Sequence, residues 1–278
     1  MSSKPLSPYL LERVAQEMRL RNYAKRTIQA YVSCLRQFTS HIHPKPPRDL
    51  PMDEVRGWLL HLVERGVSRS LLDQHVSALR FLYRELYGQR NAALGIPRPR
   101  KERRLPYVPT KEQVLRLADA TGNPRHRLAV LFLYATGVRV SELVALNVGD
   151  IDLTELVVRV VEGKGRKDRL TVVSGTLRAD LERLMRHRSR LEPLFANVQR
   201  TRWSTRSVQQ VVQRARVLAD LPAGITPHAL RHAFATHLLE QGVELRAIQQ
   251  LLGHKNLKTT TRYARMTHPG RMRIVSPL

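Results

Sequence analysis

The chain has 278 residues, 42% of them apolar, enough for one large domain or two medium ones with ordinary cores. Forty-eight Lys and Arg stand against 23 Asp and Glu, a formal net charge of +25. Such an excess repels itself unless a polyanion is near: nucleic acid is the first candidate, because each phosphate neutralised releases a counterion, and an anionic membrane surface is the second.

No apolar run reaches the roughly eighteen residues that a membrane helix needs. The opening MSSKPLSPYLLERVAQ has neither the uninterrupted apolar core nor the cleavage site of a secretory signal. In chain order, residues 8–20 are expected to form a helix, with Ser7 as N-cap and Pro8 at the first helical position. Apolar residues at helical spacing predict further helices over 27–41 (Ile28, Tyr31, Val32, Leu35, Phe38), 52–65 (Val55, Trp58, Leu59, Leu62, Val63) and 70–87 (Leu72, Val76, Leu79, Leu82, Tyr83). Cys34 falls on the second stripe. As the one cysteine of the chain it forms no internal disulfide and leaves no Cys-based zinc site, so a core thiol in a reduced, cytosolic protein is expected. PKPPRDLP, between the second and third helices, is too rich in proline to be anything but a connector. Residues 1–94 therefore read as a helical bundle.

Residues 95–109, GIPRPRKERRLPYVP, have no periodicity, and five of the seven from Arg98 to Arg104 are basic. They read as an interdomain linker that also straps phosphates. A second domain, 110–278 with a C-terminal tail, opens on TKEQ, a capping box. An apolar helix ending at Gly137 follows, and then a short helix in VRVSELVAL. Two β-branched runs around Gly-Lys-Gly predict a hairpin over 156–173. Helices are expected over 177–190, 205–219, 227–241 and 245–252, with Gly242 and Gly253 suited to left-handed caps.

Four short stretches carry residues that core packing does not need. In ATGVRVSELVAL, Arg139 lies within an apolar sequence, and a buried Arg is unfavourable unless an anion meets it. Glu142, three residues on, either orients that guanidinium toward a ligand or simply pairs with it. In EGKGRKDRL, Lys164 sits between glycines at a hairpin tip, free to reach a ligand or to remain an ordinary turn lysine, with Lys167 as a competitor. In ITPHALRHAFATHLLEQG, His228 and Arg231 share one face at the N-terminal, anion-favouring end of a helix. His232 and His237 read as structural. In LLGHKNLKTTTRYAR, His254 follows a helix-ending glycine and Tyr263 stands among cations.

Walker spacing for ATP is missing, as are the paired carboxylates of two-metal hydrolysis. An electropositive pocket for one phosphodiester with an oxygen nucleophile remains, and phosphoryl transfer demands mainly positioning and charge neutralisation. These four boxes, in this order, resemble the tyrosine recombinase (phage integrase) family over residues 110–266. The N-terminal helices, with TIQAYVSCLRQF and SALRFLYRELYG, resemble its core-binding domain.

The resemblance implies a mainly α fold with a small β-hairpin, in which a helical, SAM-like core-binding domain precedes an α+β catalytic domain. It implies that Arg139 and Arg231 bind the scissile phosphate and that Lys164 protonates the departing 5′ oxygen. His228 assists deprotonation of Tyr263, His254 hydrogen-bonds the phosphate, and Tyr263 attacks to form a 3′-phosphotyrosyl link. No cofactor or metal is implied. The implied partners are double-stranded DNA and further copies of the chain, as a tetramer on two sites in the cytoplasm at the nucleoid. The tail ending Ser-Pro-Leu and the segment NYAKRTIQAYV resemble integron-type integrases, whereas the compact length resembles the Xer recombinases. Strand exchange, relaxation of the type IB topoisomerase kind and DNA binding without catalysis all stay open at this point. So does the identity of the helices that enter DNA grooves, for which 70–87 and 205–219 are the candidates.

Overall fold

The computed structural model describes residues 8–98, 106–161, 168–253 and 275–278. Ser7 lies outside them. The chain divides into two compact units, Met1–Arg103 and Arg104–Leu278.

The first unit is helical. Helices α1 (Pro8–Leu20), α2 (Lys25–Ile42), α3 (Met52–Glu64), α4 (Arg69–Phe81) and α5 (Arg90–Gly95) surround one core. The stripes read from the sequence are the ones buried: Cys34, Leu35 and Phe38 from α2, Val55, Trp58 and Leu62 from α3, Val76 and Leu79 from α4. Val63 is the exception and faces outward. The proline-dense connector holds a single tight turn, Pro47–Asp49, pinned where the Tyr83 hydroxyl donates to the Pro47 carbonyl at 2.7 Å.

Two features differ from expectation. The helix predicted over 70–87 changes character at Leu82–Leu86, a wider π-type turn in which the Tyr87 N–H bonds the Leu82 carbonyl, five residues back. Helix α5, six residues long, is too short to show a period in sequence. Beyond it, Ile96 is fully buried and its carbonyl accepts from Arg80 Nη2 at 2.5 Å, so the first unit's core extends past Gly95.

The second unit wraps helices around α7 (Pro124–Thr136), whose residues from Leu128 to Thr136 are all buried. Before it runs α6 (Lys111–Asp119), started by the expected capping box: Thr110 Oγ1 accepts the Gln113 N–H at 3.2 Å and Gln113 Oε1 accepts the Thr110 N–H at 3.1 Å. After it come α8 (Val140–Ala145), a three-stranded antiparallel sheet of β1 (Ile151–Asp152), β2 (Val157–Val160) and β3 (Arg169–Val172), and helices α9 (Arg178–Met185), α10 (Thr205–Leu218), α11 (Pro227–Glu240) and α12 (Leu245–Leu252). Strands β2 and β3 are the arms of the predicted hairpin, in register from Val157 opposite Val172 to Val160 opposite Arg169. Strand β1, only two residues, adds a third rung that no pattern announces.

Helix α9 ends at Met185, short of the predicted 190. His187 adopts φ +58°, and the Arg188 guanidinium turns back onto the carbonyls of Leu184, Pro193 and Leu194. At the other end of the chain, Ser276 is buried and its hydroxyl donates to the Ala135 carbonyl of α7 at 2.8 Å.

Candidate active site

The site begins where α7 stops. Gly137 takes φ +63° and ψ 16°, and a Cβ there would run into the Phe234 ring of α11. Only glycine meets both demands. The turn delivers Arg139 to the N-terminal end of α8. There Glu142 Oε2 accepts the Arg139 N–H at 2.7 Å, and Glu142 Oε1 accepts from Arg139 Nη1 at 2.5 Å. The local pair weighed in the sequence therefore forms. The expectation of a buried Arg139 is corrected, however: its side chain is 35% exposed, because the guanidinium leans on Glu142 from the rim.

Arg231 is the buried one, at 5% exposure. Helix α11 starts as predicted, with Pro227 in its first turn and Thr226 Oγ1 accepting the Ala229 N–H at 3.1 Å. One turn on, Arg231 Nη1 donates to the Gly137 carbonyl at 2.6 Å and Nη2 donates to the Leu252 carbonyl at 2.5 Å. Its Nη1 also lies 3.7 Å from Glu142 Oε2. Arg139 and Arg231, 92 residues apart in sequence, thus meet at one carboxylate.

A third guanidinium, which the sequence reading assigned no role, completes the cluster. Arg169 opens β3 with its side chain 2% exposed. It donates from Nη1 to Glu142 Oε1 at 3.1 Å, from Nη2 to Oε2 at 2.6 Å, and from Nε to the Leu251 carbonyl at 2.8 Å. The signal was present: Arg169, Thr171 and Val173 occupy the buried positions of an alternating strand, and a charge in that register needs a counter-charge. Burial alone would raise the Glu142 carboxyl pKa. The hydrogen bonds from Arg169 and Arg139 outweigh it and hold the group down at about 2.

His228 sits in the first turn of α11, one face open to solvent, its ring edge-to-face with His232 at 4.5 Å. Loss of hydration on its inner side lowers its pKa, and the neighbouring His232, Arg231 and Arg139 lower it further. A neutral imidazole beside two guanidiniums offers a lone pair to a proton donor. His237 is structural, its Nδ1 at 2.8 Å from the Tyr134 hydroxyl.

Lys164, its competitor Lys167, His254 and Tyr263 lie outside the described residues. The hairpin arms stop at Val160 and Arg169 on either side of the lysine tip. Gly253 closes α12 in the left-handed conformation, φ +67°, one residue before His254. A Cβ on Gly253 would stand 2.9 Å from Arg169 Cδ.

Two helix faces are polar and open. Helix α10 buries Val208, Val212 and Ala215 and exposes Arg206, Gln209, Gln210, Gln213 and Arg214. Helix α4 exposes Arg69, Ser70 and Gln74. Among the described residues no helix is long and apolar enough to cross a membrane.

Residues 108–268 match the phage integrase family, and residues 10–92 match the SAM-like N-terminal domain of phage integrases. Tyrosine recombinase XerA of Pyrococcus furiosus is 34% identical over 273 residues, covering 96% of this chain and 93% of the relative. Tyrosine recombinase XerA of Thermococcus kodakarensis is 40% identical over 225 residues, 79% of each. Tyrosine recombinase XerD of Oceanobacillus iheyensis is 35% identical over 230 residues, 77% of each. Among solved structures, a lambda integrase dimer bound to a COC′ core site shares the fold with a TM-score of 0.74 at 22% identity, over 88% of this chain and 94% of that one. A crystal structure of XerA recombinase aligns with a TM-score of 0.51 at 27% identity, over 88% of this chain and 89% of that one. With an integrase match across more than half its length, and recombinase relatives over most of the rest, the chain belongs to the phage integrase family of tyrosine recombinases.

Proposed function

We propose that this chain cuts and rejoins DNA at defined sites, with Tyr263 as nucleophile and a 3′-phosphotyrosyl intermediate. The observation that carries the reading is the shared carboxylate. Glu142 draws Arg139 and Arg231 to one place, and neither guanidinium loses its charge at any relevant pH. Two such forks grip the non-bridging oxygens of a phosphodiester bidentately and neutralise the charge that grows in the transition state. His228, held neutral, takes the Tyr263 proton. The phenolate oxygen bonds to phosphorus as the bond from phosphorus to the 5′ oxygen breaks, and Lys164 supplies the proton to that oxygen. His254 donates to the phosphate. In the reverse step a 5′-hydroxyl displaces the tyrosine, so rejoining consumes no ATP and uses no metal.

Double-stranded DNA is the partner that net charge +25 fits best. The polar faces of α4 and α10 are the surfaces we assign to the grooves. Residues 95–109 serve as a basic strap between a core-binding domain, 1–94, and a catalytic domain, 110–278. Lambda integrase, whose fold matches with a TM-score of 0.74, has been captured as a tetramer on a Holliday junction. We extend that assembly to four copies of this chain on two sites, acting at the nucleoid in the cytoplasm.

The test uses a site selected by binding from random duplexes and nicked near the cleavage point, so that the short cleaved piece diffuses away. The wild type accumulates a covalent protein–DNA adduct. Tyr263→Phe binds the same duplex and yields no adduct. An adduct that persists in Tyr263→Phe removes the assigned nucleophile. Relaxation of a supercoiled plasmid that lacks the site would move the reading to the topoisomerase alternative.

A further inference from the structure

We propose that Arg169 is a positioning residue for strand cleavage, fixing the start of β3, five residues after Lys164, against the Arg139–Glu142 pair. The inference rests on the reading above, in which Lys164 protonates the 5′ oxygen.

Three segments that carry assigned groups converge on this one side chain. Arg169 is the first residue of β3, opposite Val160 and five positions from Lys164. Its two Nη atoms take both oxygens of Glu142, the carboxylate that also holds Arg139. Its Nε takes the Leu251 carbonyl at the end of α12, and its Cδ borders Gly253, next to His254. The planar fork fixes direction as well as distance, which a lysine ammonium does not. A buried ion network of this kind adds little net stability over an apolar replacement, because desolvation offsets the attraction. Holding geometry is what it does better than a hydrophobic cluster, and a displacement of about 1 Å at a reacting centre is worth about 100-fold in rate.

Arg169→Lys keeps the charge and removes the fork. In single-turnover cleavage of the nicked substrate it is expected to slow adduct formation by about 100-fold. Its affinity for the site is expected to stay within about twofold of the wild type, because no phosphate contact is removed. The discriminating arm replaces the scissile 5′ oxygen with sulfur. The bond from phosphorus to sulfur then breaks with the electron pair leaving on a thiolate, which needs no proton at neutral pH. If Arg169 places the proton donor, this substrate restores Arg169→Lys to within about tenfold of the wild type.

Lys164→Ala is run beside it. Rescue of Lys164→Ala without rescue of Arg169→Lys overturns the inference and leaves the assignment of Lys164 standing. Failure to rescue Lys164→Ala removes that assignment, and the inference with it. Wild-type cleavage by a folded Arg169→Lys also overturns the inference. If Arg169→Lys does not fold, Arg169→Gln takes its place in the same assay. If neither variant folds, the residue is structural and the proposal falls.

Discussion

The two units bury polar side chains by opposite means. In the first, His75 is fully buried, and neither of its ring nitrogens, nor the Trp58 indole nitrogen, has a hydrogen-bond partner among the described residues. The rings are simply packed: Trp58 meets His75 edge-on at 5.6 Å and His41 at 4.7 Å, and His41 stacks on His61 at 5.0 Å. In the second, Glu142, Arg169 and Arg231 are nearly as buried and bonded to one another. The chemistry of the groups explains the contrast. An imidazole escapes the cost of burial by shedding its proton, and burial does lower the His75 pKa. A guanidinium has no such escape and must be met by a carboxylate, which is then itself locked in the ionised form. His75, neutral, acts as packing, whereas the buried charges of the second unit fix positions.

The sharpest way to break this contrast is to remove the shared carboxylate. Glu142→Ala leaves the Arg169 and Arg231 side chains without their counter-ion, and a loss of about 3–5 kcal/mol is expected. The chain supplies its own reporters, Trp58 in the first unit and Trp203 in the second. Denaturant unfolding followed at Trp203, in a Trp58→Phe background, should shift strongly. Trp58, followed with Trp203→Phe, should not. An unchanged Trp203 midpoint would mean that the network holds nothing in place.

A smaller loss is expected from the backbone that aims Arg139. Gly137→Ala combines a left-handed φ with a clash against Phe234, together about 3 kcal/mol. Gly242→Ala is the matched control: φ is +82°, nothing lies within 4 Å of a new Cβ, and the cost is only about 1 kcal/mol. Equal midpoints for the two variants at Trp203 would show that the Phe234 contact is without consequence.

How much of this was readable in the sequence differs between the units for a physical reason. The stripes of α2, α3 and α4, the capping box at Thr110 and the glycine stop at Gly137 are local patterns, and a local pattern is written in neighbouring residues. The boxes holding Arg139, His228 and Arg231 were legible as well, because each sets charged or titratable residues within an otherwise apolar helical stretch. Arg169 was not. Its partners, Glu142 and Leu251, are 27 and 82 residues away, and a lone Arg after a Lys-rich turn looks like more of the same surface charge. The degree of burial was misjudged in the same way: Arg139 was expected inside and lies at the rim, while Arg231 lies inside. Strand β1 and helix α5 were missed because two and six residues are too few to display a period.

The smallest expected effect sharpens the contrast from the other side. Replacing His75 with Leu exchanges one packed, uncharged group for another, so the change at pH 8 should stay within about 1 kcal/mol. Its consequence should appear on acidification. The folded-state pKa of His75 lies below its ordinary 6.5, so the unfolded chain takes up the proton more readily. That contribution to stability is complete above 6.5 and is lost as pH falls through the lowered folded value. Glu142 behaves likewise in direction but over another range: its contribution is complete above 4.5 and is lost on the way down to about 2. The wild-type first unit, followed at Trp58, should therefore weaken just below neutrality, and His75→Leu should flatten that stretch. His126, beside Trp203 at 5.3 Å and also lowered by burial, gives the second unit its own step, which His75→Leu should leave untouched. If the Trp58 midpoint of His75→Leu kept its dependence between pH 7 and pH 5, the proton would be entering the first unit elsewhere.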